Sequence, residues 1–149
     1  MTSPTGERAG IVRRYQHAVL VQSADELADL YAEDAVHELP FLFPGLRARL
    51  EGRAEVRATY QRAWQASEAR PTSVREVAIH FVDDGQTVVV EQMVEGTLAS
   101  SGGSFAFPGV LVLRVRNGEI THVRDYMDGL AVARALGRLP DIVAALGPP

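Results

Sequence analysis

Two side chains in this sequence combine a type and a placement suited to proton chemistry, Asp125 and His37. Asp125 stands in the stretch Gly118 to Asp128, which reads as a strand after a tight turn. Side chains alternate faces in a strand, so Thr121, Val123, Asp125 and Met127 share one side. Ile120, His122, Arg124, Tyr126 and Asp128 share the other. A carboxylate facing an apolar interior is disfavoured in its charged form, which raises its pKa toward the range useful to a general base or acid. The plainer alternative is an Asp125 that pairs with a charge on a neighbouring strand or caps a bend at a solvated rim. His37 shares a strand face with Ala35 and Leu39. Its ordinary pKa of about 6.5 suits proton exchange at neutral pH, and its alternative role is that of a hydrogen-bonded core residue.

Other residues are secondary candidates. Tyr15, Tyr60 and Trp64 fall on helical stripes that face the sheet. Core packing is the simpler role for each, although their polar tips need partners when buried. Gln92 alternates with Val88, Val90 and Val94 and is a candidate for substrate hydrogen bonding, while Glu91 and Glu95 take the opposite face. His17, His37, His80 and His122 show no metal-ligand spacing. The run Ser101 to Ser104 is a turn with no phosphate-loop lysine after it, and no serine sits in a Gly-x-Ser-x-Gly elbow. No metal, nucleotide or other cofactor and no covalent nucleophile is expected.

Composition narrows the classes. A chain of 149 residues, 46% hydrophobic and 23% charged, suits one globular domain. The net charge of −4 argues against a nucleic-acid partner. The absence of cysteine excludes disulfides and thiol catalysis and fits a reducing cytoplasm. Apolar runs such as Gly109 to Leu113 are too short to span a membrane, and the first residues carry no signal-peptide pattern. A cytoplasmic protein without a membrane partner is expected.

The elements that must position the candidates follow from periodicity. Residues 1–6 read as a flexible leader. Ile11, Val12, Tyr15, Ala18 and Val19 mark a helix over Glu7 to Val21, with Arg8, Arg13 and Arg14 off its stripe. Ser23-Ala24-Asp25-Glu26 reads as a capping box opening a short second helix. A strand is expected over Ala35 to Pro40 and a loop over Phe41 to Leu50, which contains Pro44 and Gly45. Val56, Tyr60, Ala63 and Trp64 mark a third helix within Gly52 to Ser67. Four strands follow, over Val74 to Val82, Thr87 to Leu98, Phe105 to Arg116 and Ile120 to Asp128, joined by turn formers of which Asn117-Gly118 is the clearest. Residues 130–149 form a short helical tail. Helices segregated from an antiparallel sheet define an α+β fold.

Three segments carry a family resemblance: Leu30 to Val36, Leu50 to Val56, and Asn117 to Thr121 leading into Arg124 to Asp128. They resemble the nuclear transport factor 2-like superfamily, and within it the SnoaL-like, ketosteroid-isomerase-like and limonene-epoxide-hydrolase-like proteins. The resemblance spans about Gly10 to Leu136. It implies a single cone-shaped domain, a cystatin-like α+β barrel in which a curved antiparallel sheet wraps over three helices around an apolar cavity. It also implies a homodimer formed through the outer face of the sheet. Val123, Asp125 and Met127 would then point inward, and Tyr15, Leu39, Tyr60, Trp64, Gln92, Leu111 and Met127 would line a ligand pocket.

Position by position, the resemblance also removes reactions. The isomerases' general base and oxyanion-hole acid fall on Leu39 and Leu111, so steroid isomerisation by that mechanism is excluded, although their first-helix tyrosine matches Tyr15. The epoxide hydrolases' other polar positions fall on His37, Leu39, Gln92 and Val94, leaving only the aspartate, Asp125. SnoaL-like polyketide cyclases, with an inward aspartate and a nearby histidine, are the nearer likeness. The leading expectation is a cofactor-free acid–base enzyme acting on a small hydrophobic metabolite of polyketide or terpenoid type, by cyclisation, isomerisation, dehydration or hydrolysis. Asp125 would be the base or acid and His37 its partner. The alternatives are a non-catalytic module binding a small hydrophobic ligand and a dimeric structural domain with a filled cavity.

Overall fold

A computed structural model describes residues 2–41 and 46–148; Pro44 and Gly45 of the expected loop lie outside the described residues. Helix α1 spans Pro4–Val21 and therefore takes up half of the expected leader. Ser3 caps it, its hydroxyl accepting from the Gly6 N–H at 3.1 Å, and Pro4 needs no donor at the first helical position. The helix buries Arg8, Ile11, Val12, Tyr15 and Ala18, so Arg8 belongs to the inner stripe after all. It lies three and four residues before Ile11 and Val12, and its guanidinium donates to the carbonyls of Val82 and Thr87. Gln22, at φ 52°, turns the chain into α2, Ala24–Ala28. Ser23 accepts from the Glu26 N–H at 3.1 Å, but the Ser23 N–H donates to the Ala18 carbonyl instead of the Glu26 side chain. Only half of the capping box forms.

The strands are β1 (Tyr31–Glu38), β2 (Arg49–Glu51), β3 (Ala69–Phe81), β4 (Thr87–Leu98), β5 (Ser104–Arg116) and β6 (Glu119–Met127). Helix α3, Arg53–Ala66, lies between β2 and β3. They form one open, curved six-stranded sheet in the order β2-β1-β6-β5-β4-β3. The fold is α+β, with α1, α2 and α3 all in the N-terminal half. The pairing of β1 with β6 is parallel, and the other pairings are antiparallel. That exception arises because β1, separated in sequence from the meander, enters beside its last strand. The first strand starts four residues earlier than its alternation suggests, because Tyr31 to Ala35 run irregularly against β6. Asn117 and Gly118, at φ 50° and 76°, make the two-residue turn that joins β5 to β6.

In β6 the register shifts between Arg114–His122 and Val115–Ile120, leaving Thr121 as a bulge. Ile120 and Val123 are both fully buried as a result, which strict alternation does not allow. After β6, α4 (Gly129–Ala135) and α5 (Leu139–Leu146) fold back, and α4 packs on β5. The main core gathers Tyr15, Leu27, Leu30, Tyr31, Val90 and Leu113. A second cluster holds Ala69, Val94, Phe105, Phe107 and Val132 at the other end of the sheet.

Gly96 is what lets that second cluster close. A Cβ there would overlap the Arg70 carbonyl oxygen and come within 2.8 Å of the Phe105 ring and the Pro71 Cα. Backbone on the facing strand cannot step aside as a side-chain tip can. Gly96→Ala is expected to destabilise the fold by about 1–3 kcal/mol, read as a lower urea midpoint. An unchanged midpoint would show that β3 and β4 have room to part.

Candidate active site

Asp125 occupies the centre of β6, with β1 on one flank and β5 on the other, opposite Leu111. It is 7% exposed. The ladder occupies the strand's backbone amides, and among the described residues no hydrogen bond reaches the carboxylate. Burial alone pushes its pKa up from the ordinary carboxylate range to about 7. Half of the population is therefore ionised near neutral pH, the state in which a carboxylate serves equally as base and, once protonated, as acid.

His37, on β1, is completely buried. Its Nε2 lies 3.9 Å from Asp125 Oδ2, too far for a hydrogen bond. Both ring nitrogens are engaged by tyrosines, Nδ1 by the Tyr31 hydroxyl at 2.8 Å and Nε2 by the Tyr60 hydroxyl at 3.0 Å. Burial draws its pKa down to about 3, with His122 adding to the fall and Glu38 opposing it. The imidazole is thus neutral and makes no ion pair with Asp125. Tyr15, Tyr31 and Tyr60 are held above the ordinary phenol range, chiefly by burial, and remain protonated.

Asp125 opens onto a cavity of about 600 Å³ between α3, α4 and the β3–β5 end of the sheet. Leu39, Tyr60, Trp64 and Met127 line it too. His37 does not; it stands behind Tyr60, the two rings edge to face at 5.4 Å. Tyr15, Gln92 and Leu111 are also absent from the wall. Tyr15 and Leu111 are part of the main core, and Gln92 faces α1, where it accepts from Gln16 Nε2 at 3.4 Å. The inward face of the sheet is longer than the cavity, so pointing inward is not enough to reach it.

Several residues were not anticipated from sequence. Phe105 and Phe107 stack at 4.4 Å along one wall, and Val132, Ala133 and Leu136 bring the tail helix into another. Tyr31, the inner partner of His37, was concealed by the irregular start of β1. The period-two pattern of β5 did contain the two phenylalanines as an inward pair, and this was the available signal. Arg62, Glu68 and Arg138 also contribute to the wall. Among the described residues no group of three or more His, Asp or Glu side chains is placed to hold a metal ion, and no helix is long and apolar enough to cross a membrane.

An open, curved sheet with helices in the N-terminal half is a fold shared with many solved structures, and the chain belongs to the SnoaL-like domain family, whose model matches residues 12–123. Among individual relatives, it is 31% identical over 113 residues to an uncharacterized PhzA/B-like protein of Pseudomonas aeruginosa, covering 73% of this chain and 75% of that one. The crystal structure of a Bacillus subtilis protein, named as a candidate isomerase, superposes with a TM-score of 0.81 at 23% identity, over 92% of this chain and 97% of that one. A candidate polyketide cyclase of Xanthomonas campestris superposes at 0.72 with 25% identity, over 90% and 99%.

Proposed function

We propose that the protein is a cofactor-free acid–base enzyme that moves a proton on a small hydrophobic metabolite held in the cavity, with Asp125 as the proton acceptor. The observation that carries this reading is a buried carboxylate, without a hydrogen-bond partner among the described residues, in the wall of a roomy and mostly apolar cavity. A volume of about 600 Å³ suits a drug-sized organic molecule and speaks against a filled structural domain. Isomerisation, cyclisation and dehydration share one first step within reach of this site, removal of a proton from carbon next to a carbonyl or similar group. The names of the neighbours, isomerase and polyketide cyclase, fall within that range.

The test needs no knowledge of the natural substrate. In 5-nitrobenzisoxazole a base takes the ring C–H proton, the N–O bond breaks, and a coloured nitrile phenolate forms. Asp125 must be ionised to accept that proton, so kcat/KM is expected to rise with pH and level off above about 7. A rate that is flat between pH 5 and 9 would remove Asp125 as the base. The binding-module alternative predicts no turnover and equal thermal stabilisation of the wild type and Asp125→Asn by the same compound.

A further inference from the structure

Tyr15, Tyr31, His37 and Tyr60 form a buried file of polar groups, and of the four only Tyr60 lines the cavity. Tyr15 packs beside Tyr31, Tyr31 meets Nδ1 at 2.8 Å, and Tyr60 meets Nε2 at 3.0 Å. A neutral imidazole has one N–H and one acceptor nitrogen, so the two tyrosines cannot play the same part. In one arrangement Tyr31 donates to Nδ1, Nε2–H donates to the Tyr60 oxygen, and the Tyr60 O–H is left for the cavity. In the other, Tyr60 spends its O–H on Nε2 and offers the cavity only an acceptor.

The charges around the ring decide between them. Asp125, 3.9 Å from Nε2, draws the positive end of each dipole toward itself when ionised. On the outer face His122 and Glu38 are hydrogen-bonded to each other at 2.6 Å and act on the ring in opposite directions. Tyr15, Tyr31 and Tyr60 are uncharged. The arrangement favoured is therefore the first, with every donor in the file directed at the cavity.

We propose that Tyr60 is the hydrogen-bond donor of the active site, and that Tyr31 and His37 position it by fixing the Nε2–H tautomer. This deepens the acid–base reading above, on which it rests for the group the donor serves. As Asp125 removes a proton from carbon, negative charge builds on a substrate oxygen, and the Tyr60 O–H bonds to that oxygen without giving up its proton. A fixed donor in a water-poor site is worth most where charge develops. Tyr60 is then a catalytic residue, and Tyr31 and His37 are positioning residues.

Two measurements test the proposal. The first is the ¹⁵N spectrum of histidine-labelled wild type at pH 8, with the His37 signals assigned by their loss in His37→Gln. A neutral ring protonated at Nε2 is expected, and a ring protonated at Nδ1 overturns the proposal. The second compares Tyr60→Phe with wild type on benzisoxazole with and without the nitro group. The unsubstituted compound leaves more charge on its departing oxygen, so its kcat is expected to fall about 10²-fold and that of the nitro compound by less. Equal losses on both compounds would mean that Tyr60 only packs, and would also overturn the proposal. Full turnover in Asp125→Asn beside an Nε2–H ring would instead sink the acid–base reading and leave the relay standing.

Discussion

Asp125→Asn lowers kcat on 5-nitrobenzisoxazole about 10³-fold while KM stays within about twofold; this is the largest expected effect on activity. The substitution keeps the shape of the side chain and removes the proton acceptor. The cavity wall is mostly apolar, and its other carboxylate among the described residues, Glu68, is exposed and accepts from the Ser100 hydroxyl, which leaves Asp125 as the buried acceptor. Asp125→Glu separates base chemistry from mere polarity. It restores an acceptor but moves it by about 1.5 Å, roughly one carbon–carbon bond. A misplacement of that size costs about 10²-fold in rate, so Glu should fall between wild type and Asn. Wild-type turnover in Asp125→Asn would show that proton removal occurs elsewhere.

Much of the fold was legible because its signals are local. The stripe of α1, the Ser23 cap, the Asn117-Gly118 turn and the four long strands all depend on neighbours within a few residues. The failures occur where a local pattern meets a distant partner. Arg8 reads as a surface arginine until the β3–β4 turn supplies carbonyls for its guanidinium. Thr121 looks like an inward residue until its bulge hands that place to Ile120. The site divides in the same way. Parity within one strand grouped Asp125 with Val123 and Met127, but neither face of that strand is cleanly apolar, and the inward direction came from the family resemblance. That His37 lies behind Tyr60 depends on where α3 crosses β1, a tertiary distance that no spacing in the sequence encodes. The alternation of β4 likewise could not tell that Gln92 meets α1 rather than the cavity.

The same carboxylate sets the largest expected effect on stability. The unfolded chain returns Asp125 to its ordinary value of 3.8, whereas the folded protein holds it at about 7. Between these values the native state binds more protons than the unfolded state, so stability falls as pH rises through the window. Below the lower value Asp125 is protonated in both states and contributes nothing. Above the upper value its full destabilisation applies, about 4 kcal/mol for a gap of this width. Asp125→Asn has no proton to lose and lacks this slope. The difference in unfolding free energy between the two proteins is thus expected to grow by about 4 kcal/mol in favour of the variant from pH 4 to pH 8. Urea titrations of both proteins across that range provide the reading, and any constant effect of the amide cancels in the difference. Parallel stability curves would mean that the carboxylate finds a partner and is not held in the unpaired state. A difference that opens across the same pH range in which kcat/KM rises would tie the loss of stability and the gain of a base to one ionisation, the signature of a site kept at the expense of its fold.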